Sequence, residues 1–322
     1  RRAFSLGLAA AFAPGLAYAE TYPERTIRVV VPFSPGGVID IATRIISAKL
    51  GSKLGVAVIV DNKPGATGFI GSAFVAKSAP DGYTLVAASS TTHALAPQLY
   101  DDIPYDPIKD FEPISELMSA PNVMLVPASL PVKSVSEFVA LAKQQPGQLN
   151  FASYGVGSTA YVAAELFQLL AGVKLAHIPY KGSGPILTEM MGSAVKLALF
   201  FDSITSSMAY VKAGSLRALA VTSRSRVTQY PDLPALAETY PEFEVAGWCG
   251  FEAPAKTPNV YIDRLHAALV EVMADPEVQS RLMDLGATPM CTTPQQFAAE
   301  LTAQNSRWSR FVQKMGIPRQ QL

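Results

Sequence analysis

Runs of β-branched and other apolar residues alternate with stretches of helical period along most of the chain. Four strand-to-helix passages share one design. "IRVVVPF" leads through "SPGG" into "VIDIATRIISAKL", and "YTLVAAS" leads through "STTH" into "ALAPQLY". "LNFAS" leads through "YGVGST" into "AYVAAELFQLLAG", and "LAHIPY" through "KGSG" into "PILTEMMG". Strands alternating with helices predict an α/β fold with largely parallel sheets. Every junction carries Gly, Ser or Thr and opens a helix, where free N–H groups and the positive end of the macrodipole attract an anion. Ligands of open α/β sheets sit outside the carboxyl ends of the strands. The four loops together predict a cleft lined with neutral donors, although each one singly also reads as an ordinary turn and cap.

Two further segments read as connections. "YDPIKDFEPISELMSAPNVMLVP" has proline punctuation and then a strand, and "YPEFEVAGWCGFEAPAKTP" is an extended stretch much later in the chain. Two crossings imply a discontinuous first domain, residues 20–121 and 246–322, around a second domain of residues 122–245. The closing stretches "NVYIDRLHAALVEVMADPEVQSRLMDLG" and "TPQQFAAELTAQNSRWSRFVQKMG" are amphipathic, with apolar stripes that should pack on the first domain.

With 49% apolar and 16% charged residues the chain reads as a packed globular protein, and zero formal net charge offers no footprint for nucleic acid. Residues 1–19, "RRAFSLGLAAAFAPGLAYA", combine two arginines, an uncharged apolar run and an A-x-A site before Glu20. These are the parts of an export signal, here N-terminally incomplete, so a soluble product outside the cytoplasm is expected. The longest later apolar run, "VKLALFFDSITSSMAYV", is cut by Asp202 and falls short of a membrane span. Cys249 and Cys291 could form one disulfide or stay as two buried thiols. Two Cys and three His at scattered positions make no zinc signature, and no cofactor is expected.

Catalytic signatures are missing from the sequence: there is no G-x-S-x-G, no H-E-x-x-H and no P-loop lysine after "PFSPGG". "GVGSTA" lacks the third glycine of a dinucleotide loop. His93 in "SSTTHA" reads as a capping residue, His177 as a core or edge histidine, and His266 as a surface one. Asp40, in the first turn after "SPGG", suits the capping of amides. Asp202 ends an apolar strand, where it could accept from a ligand or cap "SITSS". The chain is not expected to be an enzyme.

Together "YPERTIRVVVPFSPGGVIDIATR", "VDNKPGATGFIGSAFVAKSAPDGYTL", "YDPIKDFEPIS", "FASYGVGST", "HIPYKGSGP", "LRALAVTS" and "GWCGFEAP" resemble the Bug family of periplasmic receptors of tripartite tricarboxylate transporters. The resemblance spans Tyr22 to the C-terminus. It implies a two-domain Venus-flytrap fold of type II character, each domain a mostly parallel sheet flanked by helices. It also implies a small organic acid as ligand and membrane permease subunits as partners. By that likeness Phe33, Ser34, Pro35, Gly36 and Gly37 form the first-domain jaw, supported by Asp40, with Ser89, Ser90 and Thr91 in its second loop. Gly157, Ser158 and Thr159 match the second-domain jaw, and Asp202 its later strand-end acid. The pattern departs at Ile39, Val156, Tyr161 and Cys249; Ile39 and Val156 remove polar side chains near the cleft, which either alters specificity or is neutral. Two other roles stay open on the residues alone: a secreted enzyme acting on carboxylic esters, and an accessory protein presenting its ligand to a signalling receptor.

Overall fold

The computed structural model describes residues 22–155, 158–180, 182–192 and 197–321; the expected export signal lies outside them. The first strand, β1 (Ile27–Val31), shows why a doubly covered sheet forms. Its Ile27, Val29 and Val31 enter one apolar layer while Val30 enters the other, so both faces need helices. There follow α1 (Val38–Leu54), β2 (Val58–Asn62), α2 (Phe69–Ala76), β3 (Thr84–Ser89), a π-helical turn (Thr91–Leu95) and α3 (Ala96–Leu99). Next come β4 (Phe111–Pro127), α4 (Val135–Gln144), β5 (Asn150–Ser153), α5 (Thr159–Ala171), β6 (Ala176–Pro179) and α6 (Ser183–Met191). The chain continues through β7 (Leu197–Ser203), α7 (Ile204–Lys212), β8 (Leu216–Val221) and β9 (Ala246–Pro254). It closes with α8 (Asn259–Met273), α9 (Pro276–Asp284), β10 (Thr288–Pro289) and α10 (Pro294–Met315). The strands and helices that flank all four loops of the sequence reading are present.

The strands hydrogen-bond in the order β2-β1-β3-β9-β4-β7-β5-β6, with β8 and β10 also on β4. β1, β2 and β3 are mutually parallel, and so are β5, β6 and β7. The long β4 joins the two groups. Its residues Phe111–Pro121 pair antiparallel with β9, and from Asn122 onward its partners are β7 and β8. Proline punctuation was expected ahead of this strand; instead Pro113 and Pro121 lie inside it. Pro113 sits at a register shift, and Pro121 is the last residue paired with β9. A residue without an N–H is tolerated where the ladder is interrupted or handed over.

One apolar cluster packs α1, α8 and α9 against β1, β3 and β9 through Ile45, Ile46, Leu50, Leu265 and Leu269. The other runs through both groups of strands, from Phe69 and Val86 to Phe151, Phe201 and Phe243, with Phe297 and Trp308 of α10. Both cysteines are free thiols. Cys249 is buried on β9, where burial pushes its thiol up to about 12, and Cys291 lies 3.3 Å from Ser115 Oγ. Among the described residues no helix is long and apolar enough to cross a membrane.

Candidate functional site

Strand direction decides where the four loops meet. β3 and β4 both run antiparallel to β9, so β1 and β3 point the same way as β4. β7 runs antiparallel to β4, so β5, β6 and β7 point back against it. The carboxyl ends of the first group therefore face the carboxyl ends of the second across the middle of β4. Ser89 at the end of β3 is level with Cys249 and through it with Met118, whereas Asp202 on β7 is level with Val123. The separation along β4, from residue 118 to 123, is roughly 17 Å at the usual strand rise. Between them lie the Ser119–Trp248 and Ala120–Gly247 pairs at the floor.

The first loop stands on α1. Ser34, Pro35, Gly36 and Gly37 are exposed, and Phe33 is half-buried against the apolar layer. Gly36 takes φ +89°, a left-handed turn that brings its N–H onto Asp40 Oδ2 at 2.9 Å. Gly37 is the cap residue of α1 and no side chain closes that helix end, so the following amides stay available. Asp40 is buried and gathers the loop: Arg44 Nε donates to both its oxygens, and Asn62 Nδ2 donates to Asp40 Oδ1 at 2.8 Å and to the Phe33 carbonyl at 3.0 Å. Partial burial alone would raise the Asp40 carboxyl; the hydrogen bonds from Arg44, Gly36 and Asn62 bring it below its ordinary value. Asp40 thus serves the loop, as a capping carboxylate would.

α2 wedges this loop against the next one. A Cβ on Gly68, whose φ is +94°, would stand 2.5 Å from Thr92 Cγ2, 3.2 Å from Pro32 Cβ and 3.4 Å from Phe33. Only a bare backbone permits that contact. The second loop holds Ser89 and Ser90, both buried, and Thr91, half-buried at the start of the π-helical turn. His93, expected as a cap, is fully buried within that turn with Nδ1 2.8 Å from Thr92 Oγ1. Its ring packs on Phe111 and Tyr105, contacts that local sequence does not announce.

In the opposing group, Ser158 caps α5 by accepting from Tyr161 N at 3.2 Å, and its own hydroxyl donates to the Gly155 carbonyl at 2.8 Å. Thr159 Oγ1 accepts from Asn122 Nδ2 at 3.3 Å, tying α5 to the handover point of β4. Gly157 and Val156 lie outside the described residues. His177 Nε2 is 2.7 Å from Ser153 Oγ, which also receives the Gly155 N–H, so this histidine fixes the start of the loop.

Asp202 is fully buried. Ser183, Ser206 and Ser207 each donate a hydroxyl to its Oδ2 at 2.7 Å, and the Tyr154 hydroxyl donates to Oδ1. One carboxylate thereby holds the loop after β5, the first turn of α6 and the first turn of α7. Ser206 and Ser207 belong to "SITSS", in keeping with the capping role, whereas Tyr154 and Ser183 come from two other loops that the sequence did not link to Asp202. Asn62, Gly68, Tyr154 and Ser183 were likewise not singled out; only their Gly- and hydroxyl-rich loops carried a signal.

Of the described departures from the pattern, Ile39 and Tyr161 are half-buried next to these loops, and Cys249 is buried on β9 opposite Ser89. No group of His, Cys, Asp or Glu among the described residues is arranged to hold a metal ion. A hollow of about 280 Å³ beside α7, lined by Met208, Tyr230 and Asp284, contains none of the loop residues.

Residues 42–317 match the profile of the tripartite tricarboxylate transporter family receptor. Protein BugT of Bordetella pertussis is 37% identical over 300 residues, covering 92% of this chain and 91% of that one. An R. palustris protein solved with adipate is 33% identical and superposes at a TM-score of 0.77, with 93% and 100% of the two chains covered. MatC from Rhodopseudomonas palustris, solved with bound malate, is 32% identical at a TM-score of 0.72, with 90% and 100% covered.

Proposed function

The chain belongs to the tripartite tricarboxylate transporter receptor family, and from that premise we propose that it captures a small organic carboxylate between two domains and delivers it to the permease subunits of such a transporter, working in the periplasm. The family is one of receptors rather than enzymes, and the chain has the two-domain fold of periplasmic binding proteins. The first domain comprises residues 20–121 and 246–322, and the second residues 122–245. The change of partners along β4 between Pro121 and Asn122, and the start of β9 at Ala246, support that division.

The observation that carries the reading is the facing of two sets of loops rich in glycine and hydroxyl residues at opposed strand ends. Helix amides and hydroxyls bind a carboxylate without a buried cation, which avoids desolvating two full charges. Bridging water lets one frame serve several acids at modest entropic cost. Phe33 to Gly37 and Ser89 to Thr91 form one jaw; Ser158 and Thr159 form the other. Asp40 and Asp202 hold the two jaws in shape. Closure turns on the crossing strands, where Trp248 is buried with Nε1 donating to Gln304 at 2.7 Å.

The purified mature chain is expected to gain thermal stability with adipate, malate or related mono- and dicarboxylates, by mass action on the folded state. Trp248 emission should change in the same titration. A broad panel giving neither response would sink the proposal.

A further inference from the structure

Behind the second loop, the His93–Thr92 contact belongs to a longer buried polar chain. Glu252 on β9 and His93 are both 0% exposed, and Glu252 Oε2 is 3.5 Å from His93 Nε2. That is just beyond hydrogen-bond range, and His93 Nε2 and both Glu252 oxygens have no other partner among the described residues. Three buried polar atoms left in this way are costly, and a single proton between Glu252 and His93 satisfies two of them. The Tyr105 phenol is not available to supply it, because its hydroxyl donates to the Thr92 carbonyl at 2.7 Å.

From His93 the chain leads to the loop. Nδ1 is 2.8 Å from Thr92 Oγ1, which is 3.1 Å from Ser89 Oγ. Thr92 Oγ1 already accepts the Ser89 N–H at 3.2 Å, and Ser89 Oγ accepts the Thr92 N–H at 3.3 Å. Each hydroxyl oxygen has two lone pairs and one hydrogen; the Thr92 hydroxyl can also reach the Ser89 carbonyl, but at a longer 3.4 Å, so the tautomer of His93 biases the rest. With the proton on Nδ1, the imidazole donates to Thr92 Oγ1 and fills its second lone pair. Thr92 then donates to Ser89 Oγ, fills that oxygen, and leaves the Ser89 hydrogen free to donate outward. With the proton on Nε2, Thr92 donates to Nδ1, and the lone pair left on Thr92 Oγ1 is open to the Ser89 hydroxyl, which competes with outward donation.

We propose that Glu252, as a neutral carboxylic acid donating to His93 Nε2, is a positioning residue that holds His93 in the Nδ1–H tautomer and so presents Ser89 as a hydrogen-bond donor to the bound carboxylate. The final step rests on the carboxylate-binding reading given above; the tautomer does not. Burial acts in the required sense on both groups, raising the Glu252 carboxyl well above its ordinary value and pulling the His93 imidazole down to about 3. Two neutral partners also avoid the desolvation cost of a fully buried ion pair.

The test is ¹⁵N NMR of the His93 ring in the full chain, run alongside titrations with adipate and with malate. Wild type and Glu252→Gln, whose amide also donates, should both show a protonated Nδ1 and an unprotonated, hydrogen-bonded Nε2. Glu252→Leu should lose that pattern. Affinity should survive Glu252→Gln within about twofold and fall about tenfold in Glu252→Leu and in Ser89→Ala, the loss of one hydrogen bond to a charged group. A ring protonated on Nε2, or on both nitrogens, overturns the proposal whatever the leucine variant does. The expected tautomer in a chain that neither acid stabilises would leave the buried pair standing and remove the acid-capture reading.

Discussion

The two jaws are each organised by one buried aspartate, but in opposite electrostatic ways. Asp40 in the first meets a guanidinium, a backbone amide and a side-chain amide, so its charge is matched by Arg44. Asp202 in the second meets four hydroxyls and no cation among the described residues, so its charge is dispersed but not cancelled. On the proposed carboxylate-binding reading, the difference gives the cleft a polarity. An anionic group is favoured over the neutralised first jaw, where the uncapped end of α1 adds its dipole, and disfavoured beside Asp202. The second domain is then expected to meet the neutral or hydrogen-bond-donating end of the ligand.

The contrast is tested most severely at Asp202. Asp202→Ala strips the common acceptor from Tyr154, Ser183, Ser206 and Ser207, and should cost about 3–5 kcal/mol in denaturant unfolding. Asp40→Ala should cost less, about 1–2 kcal/mol, because Arg44 is half exposed and regains water. Equal losses from the two would mean that the jaws are held alike. Next in size is Gly37→Asp. Its φ of −77° is ordinary and a Cβ there meets nothing nearer than Ser34 O at 4.0 Å, so the fold should survive. The added carboxylate places like charge at the end of α1, and adipate or malate affinity should fall about a hundredfold, near 3 kcal/mol. Unchanged affinity with an unchanged circular dichroism spectrum would remove the first loop from the site.

Much of this arrangement is legible in the sequence. The four junctions were visible because strand and helix periods flank them, and α1, α5 and α6 begin at the loops that read as helix starts. What escaped were partnerships across long stretches of chain. Asn62 reaches Phe33 and Asp40 from the end of β2, and Glu252 faces His93 from β9. Nothing in "VDNKPG" or "GFEAP" says which distant atoms will lie opposite. Pro113 and Pro121 misled for the converse reason, since local propensity argues against a strand that pairing on several sides sustains. Gly68 is a middle case: the glycine is visible, but its closeness to Thr92 is not. Gly68→Ala should cost about 2 kcal/mol through its left-handed backbone and that contact, and should weaken binding by shifting both first-domain loops. A stable Gly68→Ala with full affinity would show that α2 does not set their spacing.

The smallest effect expected is the pH signature of the first jaw. The folded-state pKa of Asp40 is lowered: partial burial opposes this, but the bonds from Arg44, Gly36 and Asn62 outweigh it. Unfolding therefore takes up a proton between the two values. The stability that Asp40 contributes is fully present above the unfolded pKa, about 3.9, and is lost as pH falls through the folded one. Asp40→Asn keeps the size of the side chain but removes the titration. Its deficit against wild type, about 1 kcal/mol or less after allowing for the exposure of Arg44, should be constant near neutrality and shrink on acidification below about pH 4. Added salt should shrink it too, because the guanidinium is open to solvent. A deficit that grew as pH fell would mean that the carboxylate is not stabilised as an anion, and the proposed asymmetry between a matched and an unmatched jaw would be lost with it.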